Sequence, residues 1–102
     1  MTISEQEREI IYHVEKCVCK QVGVSERELD KSNYKEQAVL ARGYIFYILH
    51  YNFAFSTAKL AMFYNRSDRG VKYIISNAKF RIRNQRIYTA CYDAIMKALS
   101  RL

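Results

Sequence analysis

A chain of 102 residues, half of them apolar and 14% aromatic, carries enough material for a single domain with one core. No apolar run approaches the ~20 residues of a bilayer span, and residues 1 to 9 are polar and acidic rather than a secretion signal, so a soluble cytoplasmic protein without membrane contact is expected. The net charge of +7 makes a polyanion a natural partner.

Three cysteines, Cys17, Cys19 and Cys91, are an odd number without metal-ligand spacing. On a helix Cys17 and Cys19 fall about 200° apart, which predicts reduced thiols in or near the core and no metal or other cofactor. With no proline and only three glycines, the chain is expected to be all-α, with about six helices joined by short polar turns.

In chain order, Ser4-Glu5-Gln6-Glu7 is a capping box, and the helix it opens should run to Val22 with Gly23 in the left-handed conformation that ends it. Its apolar stripe is Ile10, Ile11, Val14, Cys17, Val18 and Val22; His13 lies off it, on the surface. Ser25-Glu26-Arg27-Glu28 is a second capping box, opening a short helix through Leu29 and Asp30. Lys31 to Lys35 then reads as a polar loop with two lysines.

From Glu36 to Phe53 the chain is apolar nearly all round. Leu40, Tyr44, Tyr47 and Tyr51 line one side, Ala38, Ala41, Ile45, Ile48 and Leu49 another, and Val39, Phe46 and Phe53 a third. Such a helix belongs in the middle of a bundle. Its aromatics could instead stack on bases as in single-strand binders, but helical periodicity favours core packing. Gly43 inside it costs about 1 kcal/mol against alanine and marks a close helix crossing.

Ser56 to Arg83 reads as two helices divided by Asn65-Arg66-Ser67. In the first, Ala58, Ala61 and Met62 share one side, with Leu60 and Tyr64 four apart. In the second, Val71, Ile74, Ile75, Ala78 and Ile82 recur at helical spacing and leave Arg69, Lys72, Tyr73, Ser76, Lys79 and Arg83 facing solvent. This is a helix-turn-helix pattern. Asn84-Gln85-Arg86 reads as a turn, and a last helix from Ile87 to Leu102 should carry Ile87, Cys91, Ala94, Ile95, Ala98, Leu99 and Leu102 inward.

Charge is divided unevenly along the chain. Residues 1 to 65 carry as many acidic as basic side chains, whereas residues 66 to 102 carry Arg66, Arg69, Lys72, Lys79, Arg81, Arg83, Arg86, Lys97 and Arg101 against only Asp68 and Asp93. A one-signed face beside a helix-turn-helix is the footprint of a polyanion binder; the plainer alternative is a charged surface that keeps the protein soluble.

The order short helix, basic loop, central helix, helix-turn-helix resembles the C-terminal DNA-binding domain of the bacterial replication initiator DnaA, over roughly Val14 to Phe80. Ala41-Arg42, the apolar helix through Leu49, and Ser56-Thr57 match the family's central-helix pattern. The family signature runs aliphatic, Gly or Ala, two variable positions, aromatic, small polar, basic, then a reading-helix start ending in valine. It maps onto Leu60-Ala61-Met62-Phe63-Tyr64-Asn65-Arg66-Ser67-Asp68-Arg69-Gly70-Val71.

The resemblance implies a helix-turn-helix of the DnaA C-terminal or Trp-repressor-like type and a double-stranded DNA partner. Where the family has Asp-His-Ser/Thr-Thr this chain has Ser67-Asp68-Arg69-Gly70, so the family's usual box sequence does not carry over. Its minor-groove arginine loop corresponds here to Lys31 to Lys35, and there is no GxxxxGK[ST] for nucleotide hydrolysis.

The first residues of a reading helix approach base edges. That makes Arg69 a reader of guanine O6 and N7, with Asp68, Gly70 and Tyr73 beside it. Asp68 could accept from a cytosine amino group, but an aspartate at a helix start more simply stabilises the amides there. Lys31, Lys35, Arg42, Ser56, Thr57, Arg66, Ser67, Lys72 and Lys79 are the backbone candidates. His13 and His50, the only histidines, lie near no cysteine, carboxylate pair or Gly-rich loop, so no catalytic site is expected. The other function left open is a protein-interaction module that reuses the helix-turn-helix frame.

Overall fold

The computed structural model describes residues 2–29 and 35–101. The elements are α1 (Glu5–Val22), a 3₁₀ turn (Glu26–Leu29), α2 (Glu36–Asn52), α3 (Thr57–Phe63), α4 (Asp68–Asn84) and α5 (Arg86–Ser100), with no strand among the described residues. The fold is therefore all-helical, with five α-helices and one 3₁₀ turn in the place of the expected sixth. The polar loop beginning at Lys31 lies outside the described residues except for Lys35, and so does Leu102.

Local chemistry sets most of the helix ends. Ser4 Oγ accepts the Glu7 amide at 3.1 Å while Glu7 Oε1 accepts the Ser4 amide at 2.9 Å, a complete capping box. Gly23, at φ 88°, closes α1 by donating to the Cys19 carbonyl at 2.8 Å, a backbone angle that glycine adopts without steric cost. At Ser25 the same motif is only half made: its amide donates to Glu28 Oε2 at 2.7 Å, but the Glu28 amide donates to the Ser25 carbonyl instead of the hydroxyl. That i to i+3 bond makes the segment a 3₁₀ turn.

The central helix is buried through its middle. Ala41, Ile45, Phe46, Ile48 and Leu49 are all but inaccessible to solvent, because α2 packs against α1, α4 and the 3₁₀ turn. Its predicted third side survives only at Phe46, since Val39 and Phe53 lie near the ends of the helix and are exposed. A Cβ at Gly43 would lie 3.4 Å from Ala78 Cβ, so the α2–α4 crossing is close but leaves room for one methyl.

The remaining helices close around this centre. α1 packs on α5, α3 on α4, and α4 on α5. Of the sides expected for α3, Ala58 and Met62 face solvent while Leu60 and Ala61 turn inward. The predicted turn at 84–86 contracts to Gln85 alone, whose extended backbone separates α4 from α5; the Thr89 hydroxyl donates to the Ile82 carbonyl across that junction. This tight link carries Ile87 outward to 76% exposure, against the inward position expected for it. Tyr44 Oη donates to the Tyr88 carbonyl at 2.9 Å and ties α2 to α5.

All three cysteines are free. Cys19 is buried, and burial together with Glu26, Glu15 and Glu28 pushes its thiol pKa to about 11, which makes it an unreactive core group.

Candidate nucleic-acid interface

The junction of α3 and α4 is built from the hydrogen bonds of its turn. Asn65 takes the left-handed conformation at φ 52°, which asparagine tolerates better than most side chains, and the Arg66 amide returns to the Ala61 carbonyl at 2.8 Å. Ser56 Oγ accepts the Lys59 amide at 3.0 Å and Ser67 Oγ accepts the Gly70 amide at 2.9 Å, so each helix begins on a serine cap. Val71, Ile75, Ala78 and Ile82 then face the core. The opposite side of α4 presents Arg69, Lys72, Tyr73, Ser76, Phe80 and Arg83 to solvent.

α1 anchors the turn. Tyr64 Oη donates to Glu15 Oε2 at 2.8 Å, and the Tyr64 ring sits 4.8 Å from that of Phe46. Burial raises the pKa of both partners, that of Glu15 despite the opposing hydrogen bond from Tyr64.

Several predicted site residues hold the site together. Thr57 and Lys72, the latter 2.9 Å away, hold the Asp68 carboxyl below the ordinary range. Asp68 thus faces both the start of α3 and the first turn of α4. A Cβ at Gly70 would come within 3.0 Å of Ser67 Oγ, so glycine here keeps the cap hydroxyl in place.

Of the predicted base-contact residues, Arg69 and Tyr73 are exposed, Tyr73 at 68%, while Asp68 and Gly70 are half-buried. Lys72, Lys79 and Thr57 line a shallow cleft with His50, Tyr51 and Ser76, where the end of α2 meets α3 and α4. There the Lys79 ammonium stands 5.6 Å from the centre of the Tyr51 ring.

Arg42 is corrected. It is 5% exposed in the middle of α2, and its Nη1 donates to the Leu29 carbonyl at 3.4 Å. It braces the 3₁₀ turn and is unavailable to a phosphate. Arg66 is half-buried, with Nη2 enclosed and without a hydrogen-bond partner among the described residues. Lys35 is exposed at the N-cap of α2, and Lys31 lies outside the described residues.

Two further residues, His50 and Phe80, lie at the site without having been among its sequence-based candidates. His50 Nδ1 lies 2.7 Å from the Phe55 carbonyl, which as an acceptor requires the proton on Nδ1. The chain turns at Ala54, φ 60°, where Asn52 and Ala54 interrupt the helical pattern of the sequence. Phe80 is 62% exposed on the basic side of α4; its position in the helical repeat beside Tyr73 was the available signal. No group of acidic, histidine and cysteine side chains suited to a metal occurs among the described residues, and no helix there is long and apolar enough to cross a membrane. No protein-family model, curated protein or solved structure matches the chain.

Proposed function

We propose that this chain binds double-stranded DNA through α3 and α4, as a free-standing domain resembling the C-terminal DNA-binding domain of DnaA, with sequence-specific readout and a replication- or regulation-linked role. The observation that carries this reading is the exposed side of α4. It is basic along its length, its single carboxylate at position 68 is engaged by Lys72 and Thr57, and it follows a turn capped at both helices. In this reading α4 lies in the major groove, Arg69 reaches a base edge, and Lys72, Lys79 and Thr57 hold the backbone. The protein acts by binding and not by catalysis.

A salt titration of duplex binding tests the reading. Affinity should fall linearly on logarithmic axes as salt rises, with a slope set by the number of phosphates neutralised. Absence of binding near 50 mM salt, within the range where phosphate contacts are strong, would transfer the site to a protein partner. The feature favouring that second reading is an apolar groove between α2, α4 and α5, lined by Val39, Gly43, Tyr73, Ile74, Asn77 and Tyr88.

A further inference from the structure

Phe80 has no assignment in a duplex complex read through the first turns of α4. It is nonetheless 62% exposed, on the same side of the helix as Tyr73 at 68%. Seven residues separate the two, so they lie within about 20° of each other around the helix and about 10.5 Å apart along it. Ser76 and Asn77 between them are small and polar, and Arg69 and Arg83 flank the pair, all exposed. Neither ring packs against another aromatic ring among the described residues.

We infer that the Tyr73–Phe80 stripe is a stacking platform for single-stranded DNA, a binding activity separate from duplex readout. Exposed aromatic rings flanked by cations are what an unpaired strand requires: faces for bases and charge for the phosphates. The axial separation of the two positions is about three stacking intervals of ~3.4 Å, a spacing that accommodates two stacked bases between side chains extended from them. In a duplex the base faces are covered by their neighbours and only edges are offered, so the rings discriminate in favour of the unpaired strand.

The test is fluorescence anisotropy with three labelled probes: a 20-nucleotide oligothymidylate, an abasic 20-mer of equal charge, and a 20-base-pair duplex. The parent should bind oligothymidylate at least about fivefold more tightly than the abasic strand. Phe80→Leu, which keeps an apolar side chain at an exposed position, should lose between about five- and 150-fold on oligothymidylate. It should leave the abasic strand and the duplex within twofold. Tyr73→Leu should show the same loss on oligothymidylate. Equal affinity of the parent for oligothymidylate and the abasic strand would overturn the inference, as would an unchanged oligothymidylate affinity in Phe80→Leu. Duplex binding without oligothymidylate binding would overturn this inference alone. Oligothymidylate binding without duplex binding would support it and remove the duplex reading. Binding to neither would end both.

Discussion

α2 and α4 are both 17 residues long and cross each other at Gly43 and Ala78, yet they are opposite kinds of helix. Nine residues of α2 are buried, on every side of its middle, and even its arginine is enclosed. In α4 only the stripe through Val71, Ile75, Ala78 and Ile82 is buried, with Ile74 partly so, and the exposed remainder is mostly basic or polar with two aromatic rings. α2 contributes the largest share of the buried cluster, whereas the outward side of α4 is free of packing constraints. Substitutions in the two helices should therefore separate cleanly, one set changing stability and the other binding.

The largest expected effect lies in α2. Ile48→Ala should destabilise by about 2 to 5 kcal/mol, visible as a lower denaturation midpoint, because Ile48 is fully buried. A midpoint equal to the parent's would break the comparison at its first term. In α4, Arg69→Ala should cost ~1 to 3 kcal/mol on a preferred duplex and leave the denaturation midpoint unchanged. Lys79→Ala should instead weaken all duplexes alike and lower the salt slope by about one unit; identical behaviour of the two variants would mean that α4 contributes charge without readout.

Between these lies the capping serine that joins the halves. Ser67→Ala should cost about 0.5 to 2 kcal/mol of stability, since the Gly70 amide loses its acceptor, and loss of binding without loss of stability would make Ser67 a DNA contact rather than a cap. The smallest change sharpens the crossing. Gly43→Ala fits beside Ala78 and should raise stability by about 0.5 to 1 kcal/mol through helix propensity, whereas Gly43→Leu should lower it.

A pH series examines how α1 holds the α3–α4 turn. Burial raises the Glu15 pKa above its usual 4.5, so the folded state favours the protonated carboxyl. Its contribution is fully present below pH 4.5 and is lost as pH rises through the folded pKa. Glu15→Gln keeps an acceptor for Tyr64 and has no proton to lose. Its melting temperature should therefore gain on the parent's from pH 4 to pH 7, and a difference independent of pH would show that Glu15 is as well solvated folded as unfolded.

What the sequence made legible was governed by near neighbours. The caps at Ser4, Ser56 and Ser67 and the stop at Gly23 are decided within four residues, and the α4 stripe follows from one helical period. What it hid depended on distant ones. Arg42 is buried because α1, α4 and the 3₁₀ turn enclose the middle of α2, and Ile87 is exposed because Gln85 alone turns the chain into α5. In the candidate site, Arg69 and the serines could be placed by register. The engagement of Asp68 with Thr57 and the position of His50 required the angle between α2, α3 and α4, which no spacing encodes.

The packing of α1 on α5 has a kinetic side. α3 and α4 are separated by four residues, so their pairing is local and needs little loop closure. The α1–α5 contact joins segments more than sixty positions apart, and it forms only after the intervening chain has been ordered. The local pairs, α3 with α4 and α4 with α5, can thus assemble before the α1–α5 seam closes. Substitutions at the α1–α5 seam should accordingly speed unfolding and leave the folding rate nearly unchanged.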